Sequence, residues 1–361
     1  MIGIGVIGYG YWGPNLVRNF SDVPGSRVVA VSDIRSDRLA QVQNRYPAIT
    51  TTTDHRELLS DSSIDAVVVA TPVSTHFDLA MQALHAGKHV FIEKPMTTSV
   101  EQGERLLDYA ARCRRTIMVD HTFVFTGAVR KIKELVDTGQ LGQLFYYDSV
   151  RVNLGLFQSD VNVLWDLAAH DVSIMDYILG NQPSVIAATG IAHIPGQPKD
   201  IAYLTCLFNA NLIAHFHVNW LSPVKVRRTL IGGNRRMIVY DDLEPSEKVK
   251  IYNKGVALSN GPESKYELLV SYRTGDMWAP QLDTIEALKL EAIHFIECLE
   301  QNKPPLTDGH AGLRVVRILE GACHSLAQGG RPVELHGGFP AARGESPYEG
   351  KSDSPGLAGH M

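Results

Sequence analysis

Two places in this 361-residue chain hold side chains suited to chemistry: Lys94, followed by a proline, and Asp166, set four residues before His170 in the run WDLAAHD. Oxidation of an alcohol carbon needs these types. A base takes the hydroxyl proton while hydride leaves the same carbon, and a cation steadies the developing alkoxide. Histidine, with an ordinary pKa of about 6.5, can be the base near neutral pH, and lysine can be the cation. A carboxylate one helical turn away, on the same face, can orient the imidazole. Either feature alone is structural more often than catalytic. Hydride also needs an acceptor, so the reading depends on a dinucleotide site.

The pattern for such a site is present. Gly8, Gly10 and Gly13 stand at GxGxxG spacing after the apolar run 2–7 and before a helical stretch over 14–20. Gly3, Gly5 and Gly8 repeat the spacing inside the first strand, where no turn is expected, so context decides between them. Glycine at the turn lets the backbone approach a pyrophosphate, and the helix start offers it free N–H groups. Asp33 ends the second apolar run 20 residues beyond Gly13, placed to accept hydrogen bonds from a ribose diol. Its charge repels a 2′-phosphate, which favours NAD; Arg35 could serve such a phosphate and keeps NADP as the lesser alternative. Tyr11, Trp12 and Ile34 flank these positions as further cofactor contacts. Thr71 and Pro72 close the fourth strand signal toward the nicotinamide half, with His76 on a nearby helix face. Glu93 and Lys94 end the strand after that.

The elements that must position these residues follow a clear rhythm. Apolar β-branched runs at 2–7, 27–32, 66–70, 89–92 and 116–119 alternate with helical spacing at 14–20, 36–46, 74–86 and 99–113. Ser99 is the expected N-cap of the last, with Gln102 completing a capping box. This predicts a doubly wound parallel sheet, a Rossmann-type α/β domain, over residues 1–122. A helix is predicted over 128–138. Strands then run consecutively at 144–152, 185–191, 202–209, 212–220, 226–232 and 236–241, with 209–211 as a hairpin connection. Helices are predicted near 285–301 and 309–328. Residues 123–335 are therefore expected to form an α+β domain on an open-faced, mostly antiparallel sheet, and the Gly/Pro/Ser-rich segment 336–361 a disordered or appended tail.

Four stretches carry a resemblance: GYGYWGPN, ATPVSTH, AGKHVFIEKP and NVLWDLAAHD are similar to the Gfo/Idh/MocA oxidoreductases over residues 1 to about 335. The resemblance implies a Rossmann domain followed by an open-faced sheet domain that joins homodimers or homotetramers. It also implies a cis Lys94–Pro95 bond, with Lys94 and His170 acting on the reacting hydroxyl beside Asp166. GYGYWGPNLVRNF and RVNLGLFQSDVNVLWDLAAHD resemble the branch acting on nucleotide sugars, the UDP-N-acetylglucosamine 3-dehydrogenases. Where many relatives carry Gly-His and then Asn-Pro after the sixth strand, this chain has Asp120-His121 and Thr126-Gly127. Asp120 could alter Lys94 or a substrate contact.

Arg151, Asn153, Gln158, Asn162 and Trp165, with His170, are the candidate substrate contacts, since polar and aromatic side chains there could hold a sugar. Arg227 and Arg228 could meet a diphosphate but read as a solvated strand edge. His215, His217 and Asn219 share one strand face without a further ligand, so no metal site is expected. The predicted activity is hydride transfer between a secondary sugar hydroxyl, with C3 of a nucleotide sugar favoured, and NAD. A free sugar or inositol dehydrogenase, or a glycosidase using bound NAD as transient oxidant, remains the alternative. The net charge of −5 gives no reason to expect nucleic acid or an anionic membrane as partner. No apolar stretch of about 18 residues and no basic-flanked leader is present, and four dispersed cysteines suit a reducing cytoplasm.

Overall fold

Apolar strands without polar alternation can be buried only between two layers of helices, and the computed structural model builds that arrangement in its first third. It describes residues 1–155, 161–209, 211–258 and 270–335. Strands β1 (Ile2–Ile7), β2 (Ser26–Ser32), β3 (Thr50–Thr52), β4 (Ala66–Val69), β5 (His89–Glu93) and β6 (Ile117–Asp120) pair in parallel in the order β3-β2-β1-β4-β5-β6. Helices α1 (Gly13–Asp22), α2 (Ser36–Arg45), α3 (His55–Ser60), α4 (His76–His85) and α5 (Val100–Cys113) connect them. The order reverses between β1 and β4, so the crevice at their carboxyl ends is where a dinucleotide belongs. Gly3 and Gly5 lie inside β1 for packing: a Cβ on Gly3 would sit 1.9 Å from the Ser63 carbonyl oxygen.

Some local details differ from expectation. Ser99 does cap α5, accepting from the Gln102 N–H, but the Gln102 side chain reaches back to the Thr98 N–H instead of closing a box on Ser99. The short β3 and α3 were not foreseen. Three threonines give little hydrophobic signal, although Asp54 caps α3 by accepting from the Arg56 N–H.

After α6 (Gly127–Asp137) comes the second sheet. Its strands are β7 (Leu144–Leu154), β8 (Val185–Ile191), β9 (Ile201–Leu207), β10 (Ile213–Asn219), β11 (Leu221–Gly233), β12 (Met237–Asp241) and β13 (Val249–Tyr252). A separate hairpin pairs β14 (Gly255–Leu258) with β15 (Val270–Arg273), and β16 (Met277–Trp278) and β17 (Val333–Glu334) complete the edges. The nine-stranded order is β16-β13-β12-β11-β7-β10-β9-β8-β17, antiparallel except for β7 with β10. Helices α7 (Ala169–Leu179) and α9 (Gly309–Ala327) pack together on one face, α9 lying on β8. The opposite face carries Tyr203, Leu207 and Ile213 in the open.

Chain order and packing part company at α8 (Ala287–Gln301). This helix returns to the first sheet, where Phe295 meets Phe20 and Phe91 edge-on at 6.1 and 5.4 Å. Phe295 is fully buried, and burying such a side chain contributes roughly 1.5–3 kcal/mol. The expected turn at 209–211 includes residue 210, which lies outside the described residues, as do Gln158 and the segment from 336. Among the described residues no helix is long and apolar enough to cross a membrane. The four cysteines are free thiols.

Candidate active site

The cofactor half is made by backbone turns. Gly8 has φ +99°, and a Cβ there would come within 2.4 Å of the Ala70 carbonyl oxygen. A Cβ on Gly13 would lie 2.4 Å from the Gly8 carbonyl oxygen, so the turn closes tightly onto α1. Gly10 faces open space, with nothing within 4 Å of its would-be Cβ. A strained turn, a close helix start and an open middle glycine are what a pyrophosphate needs. The Asp33 carboxylate is fixed at the end of β2, accepting from the Tyr9 N–H at 2.6 Å and the Arg35 N–H at 2.9 Å. Arg35 instead pairs with Asp37, so its guanidinium is already engaged. Tyr11 and Ile34 are both 90% exposed, apolar surface that a bound nucleotide could cover. The residues present fit NAD.

His76, expected on a helix face beside the cofactor, opens α4 and is buried, with Nδ1 2.9 Å from the Pro95 carbonyl oxygen and Nε2 2.8 Å from that of Thr71. It ties the Thr71–Pro72 loop to the Lys94–Pro95 segment from behind. Burial, opposed by these two carbonyls, lowers its pKa. The Lys94–Pro95 bond is cis. Trp12 also looks inward, its indole N–H donating to Asp120 at 3.0 Å, while the Thr122 hydroxyl donates to the other Asp120 oxygen. Asp120 is 2% exposed, so it faces the interior behind the Gly-rich turn. Burial, then the charge of Asp120, pushes the Glu93 and Glu291 carboxyls well above the carboxylate range. Glu291 comes from α8, and nothing in its local sequence marks it.

Lys94 crosses to the second half of the molecule. Its ammonium donates to the Asp166 carbonyl oxygen at 3.0 Å and lies 3.8 Å from the carboxylate Oδ1. The Asp166 Oδ2 accepts from the Trp220 indole N–H at 2.9 Å. Among the described residues no side-chain hydrogen bond joins Asp166 to His170. The reason is local: residues Leu164–Ala168 form a π-helical turn before α7, so four-residue spacing no longer stacks the two side chains as in an α-helix. Asp166 therefore holds Lys94, whereas His170 is placed by Phe123, whose ring meets the imidazole edge-on at 5.0 Å. Burial first, then the charges of Lys94, Arg151, Arg227 and His121, holds the His170 pKa well below its ordinary value. His121 lies 2% exposed nearby, and neither ring nitrogen finds a partner among the described residues. Burial and Lys94 lower its pKa to about 3.

The substrate candidates divide. Arg151 is near His170 but forms a buried bidentate pair with Asp171, both bonds 2.8 Å. Asn153 is half-buried on β7, and Gln158 lies outside the described residues. Asn162 accepts from the Leu164 and Trp165 N–H groups, and both Asn162 and Trp165 donate to the Cys323 sulfur. Their polar atoms are engaged in seating the π-turn on α9. Arg228 is solvated, as the strand-edge reading expects, and paired with Asp241, but on the open face of an interior strand. Arg227 departs from that reading because β11 is flanked on both sides, by β7 and β12, and alternation turns Arg227 inward.

A Rossmann crevice with a lysine and a histidine at its mouth defines a dinucleotide-dependent oxidoreductase. Two family models match: the oxidoreductase family with NAD-binding Rossmann fold over residues 2–121, and the GFO/IDH/MocA C-terminal domain over 129–239. The chain belongs to the Gfo/Idh/MocA family and is an NAD-dependent dehydrogenase acting on CH–OH groups. It is 26% identical over 348 residues to scyllo-inositol 2-dehydrogenase (NAD(+)) of Bacillus subtilis, covering 93% of this chain and 95% of that one. To UDP-N-acetylglucosamine 3-dehydrogenase of Acidithiobacillus ferrooxidans it is 26% identical over 319 residues, covering 86% and 93%. A crystal structure of the latter superposes with TM-score 0.77 at 24% identity, over 91% of this chain and 98% of that one. GenD2 from gentamicin A biosynthesis, solved with NAD, shares the fold at TM-score 0.78 and 22% identity, over 93% and 97%.

Proposed function

We propose that this enzyme transfers hydride between a secondary hydroxyl of a nucleotide sugar, at C3, and NAD. The observation that carries the reading is the Lys94 ammonium held at 3.0 Å on the Asp166 carbonyl, which joins the dinucleotide crevice to the segment leading into His170. Gly8, Gly10 and Gly13 with Tyr11 and Trp12 shape the pyrophosphate turn. Asp33 and Ile34 meet the ribose, and Thr71, Pro72, Glu93 and Lys94 border the nicotinamide end. NAD, when bound, accepts the hydride. His170, kept neutral by burial and neighbouring cations, takes the hydroxyl proton. Lys94 polarises that hydroxyl, and Asp166 positions Lys94.

The open face of the nine-stranded sheet, where Tyr203 stacks on His217 at 4.5 Å beside exposed Leu207 and Ile213, supports a homodimer or homotetramer. Free thiols support a reducing cytoplasm. NADH formation with UDP-N-acetylglucosamine, free sugars and inositols tests the proposal. Net NADH from the nucleotide sugar is the expected result. Sugar cleavage without net NADH would make the protein a glycosidase, and turnover of inositols alone would move the substrate class.

A further inference from the structure

Two arginines face the site from neighbouring strands, and their circumstances differ. Arg151 on β7 and Arg227 on β11 are register partners. Both guanidinium groups lie over the Phe123 ring, Cζ at 4.6 and 5.7 Å from its centre, and the same ring meets His170. Arg151 gives Nε and Nη2 to Asp171 in a side-on fork. Its charge is neutralised and its geometry complete. Arg227 gives only Nη1, to Asp242 Oδ2 at 3.1 Å. That carboxylate is shared: Lys248 lies 3.6 Å from its other oxygen, so two cations stand around one anion. The Nε of Arg227 is buried, and no described residue accepts from it. The side chain as a whole is 29% exposed, while Nε itself is covered.

A buried guanidinium donor without an acceptor is costly, because it has lost water and gained no partner. A planar fork beside it matches an oxyanion. We infer that the Nε–Nη2 side of Arg227 binds an oxyanion, carboxylate or phosphate, carried by the sugar whose hydroxyl reacts. The inference rests on reading the Lys94–His170 cleft as the site of hydride transfer, and it narrows the substrate to an anionic sugar. Phe123 is the wall between the two functions, one edge toward the base and its face under the anchor.

The test compares four probes with the full-length protein and NAD: UDP-N-acetylglucosamine (phosphate only), glucuronate (carboxylate only), UDP-glucuronate (both) and myo-inositol (neither). Thermal shift in the presence of NAD reads binding, and NADH formation reads turnover. Wild type is expected to be stabilised by at least one anionic probe and not by inositol. Arg227→Gln is expected to weaken that anion by about tenfold or more, seen as a raised KM with kcat within a few-fold, because hydrogen bonds to charged groups carry that much. Arg227→Lys keeps the charge but not the fork and is expected to fall between the two. Arg228→Gln, on the outer face, leaves all values near wild type and controls for charge alone. The responding anionic probe identifies the source of the oxyanion. Equal loss for inositol and the anions in Arg227→Gln, or no loss for any anion, overturns the inference. If no probe yields NADH but an anion still shifts wild type and not Arg227→Gln, the anchor stands and the hydride-transfer reading falls.

Discussion

The two halves of the cleft are built from different materials. On the cofactor side the work is done by backbone: a positive φ at Gly8, an open Gly10 and N–H groups of Tyr9 and Arg35 that hold Asp33. On the substrate side it is done by side chains that meet only after folding. Lys94 meets Asp166 across 72 residues, Trp220 meets Asp166 across 54, and Arg227 shares the Phe123 ring with Arg151. A backbone site needs a few residue types at fixed spacing and tolerates variety elsewhere. A side-chain site can be rebuilt by changing a handful of positions while the first half stays as it is. This fits a family whose relatives include both inositol and nucleotide-sugar dehydrogenases.

The sharpest way to separate the halves is to damage the chemistry and leave the cofactor site intact. His170→Ala is expected to lower kcat by about 10²–10⁴, the range for loss of a positioned acid–base group, with the Kd for NADH unchanged. Lys94→Ala should fall in the same range. Retention of more than about a tenth of wild-type kcat in His170→Ala would move the base role to Lys94. The pH profile sharpens the assignment. Because the folded pKa of His170 is lowered, the imidazole stays neutral on acidification past its ordinary value, so the acid limb of kcat/KM should lie well below pH 6.5. A limb at 6.5 would mean that the base is not this residue.

The converse experiment damages the cofactor side alone. Asp33→Ser removes the carboxylate that would repel a 2′-phosphate and accept from the ribose diol. It is expected to weaken NAD about tenfold, a shift of about 1.4 kcal/mol, and to bring NADP within reach, with kcat on saturating NAD near wild type. Unchanged preference between the two cofactors would show that the ribose is read elsewhere.

How much was legible follows the same division. The six-stranded parallel sheet and its crevice were readable because apolar runs and a glycine spacing are local signals; β3 was missed because Thr50–Thr52 is too short and polar to give one. The mostly antiparallel second sheet was also readable from consecutive runs. The pairing of Asp166 with His170 was not, since a π-turn at Leu164–Ala168 changes which side chains share a face. Nor could sequence show that α8 returns to the first sheet and brings Glu291 beside Asp120. Arg227 was read as a strand edge because register with Arg151 exists only in the folded sheet.

Between the halves lies His121, whose effect appears in stability and not in rate. Its folded pKa, about 3, is below the roughly 6.5 of an unfolded chain. Between those values the unfolded state binds more protons, so acidification favours unfolding. From pH 7 to 5 this single group is expected to remove about 2 kcal/mol. Glu93 and Glu291, with raised values, act in the opposite direction over part of that range, so the useful quantity is a difference. Urea unfolding of His121→Gln should lose about 2 kcal/mol less than wild type over the same interval. Parallel losses would mean that His121 titrates alike in the folded and unfolded chain.

The smallest expected effect probes how Lys94 is held. Trp220→Phe removes the indole N–H that reaches Asp166 Oδ2 at 2.9 Å and keeps most of the ring volume in a fully buried position. A hydrogen bond to a charged acceptor contributes roughly 1.5–3 kcal/mol, but Asp166 is half-buried and its freed oxygen can be hydrated, which lowers the loss. The Lys94 bond to the Asp166 carbonyl oxygen is untouched by the change. Only the carboxylate loosens, and with it the 3.8 Å contact to the ammonium. The expected outcome is a fall in kcat of about three- to tenfold, about 0.7–1.4 kcal/mol of barrier, with no change in NADH affinity. Asp166→Asn should reproduce that fall and add little to it in the double variant, since both act through one contact. Additive losses would show that Trp220 and Asp166 serve the site separately, and the substrate half would then lack the side-chain chain from the β10–β11 junction to Lys94 that distinguishes it from the backbone-built half.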